Sequence, residues 1–204
     1  MKRSSGILMP IFSLPSPYGR KDEIAGINWG TEPRYVDYGR IYESRFDVLS
    51  KAKERGWERD KQKVNAFIER NSRWLADYAL FMALKRHFGM KSWTEWEDED
   101  IRLRKPAAMA KYRELLREDI ELFTYIQYLF FEQWTKLKAY INDLGIGIIG
   151  DIPIYVAMDS ADVWAEPEFF QLDEKNLPVE VSGVPPDDFS AEGQLWGNPL
   201  YDWD

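Results

Sequence analysis

IGIIGDIPIYVAMDSADVWAEPEFFQLDEKNLPVEVSGVPPDDFSAEGQLWGNPLYDW, residues 146–203, is the stretch on which the reading of this chain turns. It begins with a short, mostly apolar run, Ile146 to Ile149. That run follows a helix-like segment and a glycine stop at Gly145, so it reads as a buried parallel strand. Asp151 then sits where the strand ends, and Pro153 discourages further ladder pairing. Long loops rich in Pro, Gly, Asp and Trp follow. In barrels of alternating strands and helices, the carboxyl ends of strands and the loops after them build the active site. An acid at a strand end, with tryptophans in the next loops, fits a carbohydrate site.

Immediately upstream lies the clearest helix. Leu122, Ile126, Leu129, Phe130, Trp134, Leu137, Ile141 and Leu144 recur at helical spacing, and Gly145 takes the C-terminal cap position. A long amphipathic helix leading into a buried strand is half of a βαβ unit. Further upstream, residues from about 37 to 118 read as mostly helical. Asp37, Asp60 and Ser72 are candidate caps for three helices, the last ending near Gly89. Residues 91–105, with Trp93 and Trp96 among acids, read as a loop. Pro106 fits the first turn of another helix. At the N-terminus, Ser4-Ser5-Gly6-Ile7-Leu8-Met9 reads as a polar lead and short strand, and residues 11–19 as a Pro/Ser/Gly-rich loop.

Composition narrows the function classes. The 204 residues carry 35 acidic and 27 basic side chains, a formal net charge of -8, which argues against a nucleic-acid partner because none of the basic clusters is extended. The chain contains no cysteine, so neither a disulfide framework nor thiolate chemistry is available. This suits a reducing, cytoplasmic setting. With His87 as the single histidine, a zinc site is not expected, and His87 reads as a surface residue at a helix end. No run is long and apolar enough to predict a membrane span. Aromatic residues make up 15% of the chain, enough for sugar stacking as well as core filling.

Four ordered motifs give the 146–203 stretch a family resemblance. They are Gly150-Asp151-Ile152-Pro153-Ile154-Tyr155-Val156, Asp159-Ser160-Ala161-Asp162-Val163-Trp164, Gly183-Val184-Pro185-Pro186-Asp187, and Gln194-Leu195-Trp196-Gly197-Asn198-Pro199-Leu200-Tyr201. Together they resemble the 4-α-glucanotransferases, also called amylomaltases or disproportionating enzymes, of the α-amylase clan. Ser5-Gly6-Ile7-Leu8 and Ser13-Leu14-Pro15-Ser16-Pro17-Tyr18-Gly19 are similar to the start of that family. Residues 79–85, 91–96 and 127–134 are similar to its helical insertion and barrel helix.

The resemblance implies an α/β fold, an incomplete (β/α)8 TIM barrel with a large helical insertion, predominantly helical as it stands. Residues 1–19 would supply the first barrel strand and its loop. Residues 20–118 would form the helical insertion, and 119–204 a barrel helix, a strand and acceptor-side loops. The implied activity transfers α-1,4-glucan segments between maltodextrins by a retaining double displacement, without cofactor or metal. The partners implied are α-1,4-glucans; the sequence leaves the oligomeric state open.

The resemblance also assigns roles residue by residue. Asp151 would support the nucleophile's surroundings through an arginine on the following strand; a helix or turn cap is its competing reading. Asp187 and Ser190 would border the acceptor side of the sugar groove. Asp188 stands where an aromatic residue is usual and Glu192 where threonine is common, departures that touch one expected sugar contact. Trp196 would stack on sugar. Asn198 would hydrogen-bond either a sugar hydroxyl or its own backbone. From its own surroundings, a capped helix-like segment, Trp164 reads as packing. Trp93 and Trp96 read as packing under their loop, because nothing local marks a binding groove, with a sugar role as the alternative.

No catalytic residue is assigned. The family's nucleophile lies in an Arg-x-Asp-His-Phe motif, which does not occur in residues 1–204, and a complete barrel needs ~250 residues. A second strand is missing between Gly19 and Val36. The sequence therefore reads as an internally deleted and C-terminally truncated copy without turnover of its own. The rival expectation is a non-catalytic helical module that binds glucan or a protein.

Overall fold

A computed structural model of the chain describes residues 24–29 and 34–203. The expected N-terminal strand and loop, and the junction near Gly19, lie outside the described residues. The described residues fall into two compact units, one built from 74–120 and 147–203, the other from 24–73 and 121–146.

In the second of these, α1 (Tyr38–Gly56) starts where the spacing predicts, because the Asp37 carboxylate accepts the Arg40 amide at 3.1 Å. Its buried face is Val48, Leu49 and Ala52. α2 (Lys61–Arg70) buries Val64 and Phe67, whereas Ile68, expected on the same face, is 37% exposed. Asp60 occupies the cap position of α2 but makes no side-chain cap bond. Its buried carboxylate instead accepts the Tyr125 hydroxyl at 2.8 Å and both Arg59 donors. A charge-assisted bond to a nearby guanidinium is stronger than one to a neutral amide, so the cap loses.

Residues 121–143 of α6 (Arg117–Asp143) complete this unit, through ring contacts Phe46–Phe123, Trp57–Tyr125 and Phe67–Tyr128. The apolar periodicity of α6 is as predicted, but its burial is not uniform. Leu122, Ile126 and Leu129 are buried, while Leu137 and Leu144 are exposed. Gly145 follows with φ 76°, the left-handed conformation its cap role requires.

The other unit opens with α3 (Leu75–His87), buried along most of its length. It has no side-chain cap, so Ser72 does not play the expected part. The segment read as a loop contains a 3₁₀ turn, Trp93–Glu95, and α4 (Glu99–Arg102), capped by Asp98. α5 (Pro106–Leu115) carries its proline at the start as expected. α7 (Ala161–Ala165) is capped by Ser160, whose Oγ accepts the Val163 amide at 3.3 Å. Trp93, Trp96 and Trp164 are each 1% exposed, which settles them as packing residues. Trp164 donates to the Ile101 carbonyl and its ring faces the Arg104 guanidinium at 4.4 Å.

Residues 146–149 are not a strand. They are exposed, Ile149 fully so at 99%. Among the described residues the only ladder is an antiparallel pair, β1 (Val181–Val184) and β2 (Gln194–Pro199). Among the described residues no strand pairs with this run, and an apolar run without a ladder does not register as a strand. The α/β expectation is therefore met only at a coarser level: the described chain is mostly helical, with two short strands.

Candidate functional site

The β1–β2 hairpin carries four of the five predicted site residues. Its strands pair Gly183 with Leu195 and Val184 with Gln194. Two glycines make this close pairing possible. A Cβ at Gly183 would lie 2.6 Å from the Gln194 carbonyl oxygen, and one at Gly193, where φ is +74°, would lie 2.5 Å from that of Val184. Sequence reading placed only loops here. The strands are four and six residues long, with Gly and Pro inside them, which suppresses the usual strand signal.

The connection, residues 185–193, is held by its own polar groups. Asp187 Oδ1 accepts the amides of Phe189 at 2.9 Å and Ser190 at 2.8 Å, an Asx turn. Ser190 Oγ donates to the Gly193 carbonyl at 2.7 Å. One oxygen of Asp187 and the Ser190 proton are thus committed to turn structure. The other Asp187 oxygen and the Ser190 lone pairs accept no hydrogen bond from the described residues and keep their acceptor capacity. At the tip, Phe189 is 95% exposed. An aromatic ring presented to water on a hydrogen-bonded turn is a candidate contact residue that sequence reasoning did not single out. The signal was available, since the Asp-Asp-Phe-Ser order already fixes the turn.

On β2, Trp196 is 44% exposed and its indole N–H donates to Gln194 Oε1 at 3.0 Å. Its ring meets Tyr155 edge-on, with centroids 6.3 Å apart. Tyr155 in turn stacks on Tyr201, which stacks on Phe170 and touches Trp203. Burial, then the charge of Asp162, pushes the Tyr201 hydroxyl pKa above the ordinary phenol value. Tyr201 therefore stays a neutral, packed ring at the base of the hairpin. Beside it lies a concavity of about 610 Å³, bordered by Phe169, Trp203, Glu166, Glu168 and Asp202 among others.

Asn198 uses its side-chain amide within the fold. Its Nδ2 donates to the Val156 carbonyl at 2.8 Å, tying β2 to a segment 42 residues away. The sequence allowed a backbone partner for Asn198, but a local one. Asp151 lies apart from this cluster in bonding terms. It is exposed, sits in a stretch without regular structure, and shares no hydrogen bond with the hairpin residues. The strand end expected to aim it is not formed. Among the described residues no three His, Cys, Asp or Glu side chains gather in a metal-binding arrangement. No described helix is long and apolar enough to cross a membrane.

Elsewhere in the same unit, Asp98 accepts from the Tyr112 hydroxyl at 3.0 Å and Lys111 at 3.2 Å. Burial pushes its carboxyl pKa up, but these two hydrogen bonds, with the Lys111 charge and the Ile101 amide, leave it below the ordinary value. This cluster ties helix α5 to the turn before α4, and the Tyr112 ring packs on from it against His87 and Phe88.

A half-exposed indole braced from behind by other rings, above a turn of carboxylate and hydroxyl groups, has the chemistry of a carbohydrate-facing surface. Comparison with known proteins narrows that class. Residues 12–204 match the family model described as 4-alpha-glucanotransferase, and the chain belongs to that family. It is 47% identical over 184 residues to a 4-alpha-glucanotransferase of Clostridium butyricum, covering 90% of this chain and 38% of the relative. A 4-alpha-glucanotransferase of Thermus thermophilus is 48% identical over 173 residues, covering 83% of this chain and 34% of the relative. Among solved structures, an amylomaltase from Streptococcus agalactiae in complex with acarbose superposes with a TM-score of 0.87 at 46% identity. That match covers 92% of this chain and 38% of the other. The chain thus spans less than two fifths of the length of these relatives.

Proposed function

We propose that this chain supplies the acceptor-side wall of a 4-α-glucanotransferase, and that the β1–β2 hairpin is the part that meets the glucan. The observation that carries the reading is the hairpin itself, with Trp196 partly exposed on β2 and Phe189 exposed on the hydrogen-bonded turn, in a chain of this family. In this reading Trp196 stacks on the C–H face of a glucose ring. Asp187 and Ser190 offer their remaining acceptor positions to sugar hydroxyls. Asn198 contributes by holding β2 in place. Asp151 would act only once a neighbouring strand orders its segment. The described helices and hairpin would then be part of a (β/α)8 barrel and its helical insertion, working on α-1,4-glucans in a reducing, cytoplasmic setting.

The chemistry is a retaining double displacement. A carboxylate attacks the anomeric carbon as an acid protonates the leaving oxygen, and a second glucan's hydroxyl then displaces the enzyme carboxylate. Two carboxyl groups about 5 Å apart are needed. The family's nucleophile motif is absent from residues 1–204. We therefore expect the 204-residue chain to bind maltodextrin without turning it over. Incubation of purified chain with maltotriose, scored for glucose and longer maltodextrins, tests this; steady disproportionation would contradict it.

A further inference from the structure

Residues 155–159 have little regular structure, yet four of the five are pinned by contacts within one unit. On one side, the Lys85 ammonium, 8% exposed, reaches Asp159 Oδ2 at 2.6 Å. It also donates to the carbonyls of Met90 at 2.9 Å and Lys91 at 2.7 Å, so all three of its protons are used. Asp159 Oδ1 accepts the Trp93 amide at 3.2 Å, and the Trp93 indole donates to the Met158 carbonyl at 2.7 Å. On the other side, the Val156 carbonyl accepts from Asn198, and the Tyr155 ring meets Trp196 edge-on.

We infer that residues 155–159 form a strap through which Lys85 of α3 positions the Trp196 face of the hairpin. The inference rests on the glucan-contact reading of Trp196 and adds residues that act on it from a distance. The physical argument is one of rigidity. Two short strands alone are marginal in water and would let Trp196 sample many orientations. A saturated, nearly buried ammonium on a helix is a fixed point, because releasing any of its three acceptors strands a buried charge. Trp93 adds a second fixed point beside it. The strap connects these points to β2 with a directional hydrogen bond and a ring contact. Lys85, Asp159, Tyr155 and Asn198 are in this account positioning residues, none of which touches sugar.

The test uses the 204-residue chain and two readouts: hydrogen exchange of the amides of β2, and the dissociation constant for maltoheptaose. Lys85→Met should speed exchange in β2 about fivefold and weaken maltoheptaose binding by a similar factor, with α5 unchanged. Asn198→Ala should do the same without altering exchange in α3. If Lys85→Met does not fold, Asn198→Ala together with Tyr155→Ala decides the question, since both remove contacts on the hairpin side of the strap. Unchanged exchange in β2 in the folded variants would overturn the strap. If the native chain binds no maltoheptaose, the glucan reading of the hairpin fails, and the exchange data still judge the strap separately.

Discussion

Two tryptophan-bearing segments of the same unit use the residue in opposite ways. In residues 91–105, Trp93 and Trp96 are interior; Trp96 packs with Phe81, Phe88 and Trp164, and Trp93 spends its N–H on a distant backbone carbonyl. In residues 194–203, Trp196 and Trp203 are 44% and 86% exposed, and Trp196 spends its N–H on the neighbouring Gln194 side chain. Burying an indole favours a fixed acceptor from elsewhere in the fold, as Trp93 and Trp164 find, whereas the Trp96 N–H is buried without one among the described residues. Displaying one requires only a backing surface, which Tyr155 supplies. The first arrangement stabilises the unit, and the second leaves an apolar face to be covered by something else.

The comparison can be broken by substitution. Trp164→Ala, at the centre of the interior cluster, should cost about 4 kcal/mol of unfolding free energy, read from urea titration; a loss under about 1 kcal/mol would mean that the cluster is loosely packed. Gly193→Ala should cost about 2 kcal/mol, because a Cβ there meets the Val184 carbonyl in a left-handed backbone. The loss should appear as faster amide exchange in β1 and β2 first. Trp196→Ala should change stability by less than about 0.5 kcal/mol. It should nevertheless weaken maltoheptaose binding about tenfold, which separates display from packing.

The interior half of this comparison was legible from sequence, and the exposed half was legible only in part. Helix α6 and its glycine stop, the Asp37 cap and the proline at the start of α5 follow from local rules that tertiary contacts do not override. The packing role of Trp164 followed from its place beside a capped helix. The run at 146–149 misled because an apolar stretch reports the wish to be buried, not the presence of a partner strand. Asp60 misled because two donors from elsewhere outcompeted its own helix. The hairpin escaped because its strands are short and depend on glycines whose close contacts span the ladder. For Asn198 the sequence offered a sugar hydroxyl or its own backbone, and it could not show the bond to the distant Val156 carbonyl.

The central claim is that the β1–β2 hairpin presents Trp196 to α-1,4-glucan. Titrating maltoheptaose while following the indole N–H resonances by NMR tests it directly. The account predicts a saturable shift of the Trp196 resonance, with the signals of Trp93, Trp96 and Trp164 unmoved. A Trp196 resonance that stays in place at saturating maltoheptaose would contradict it.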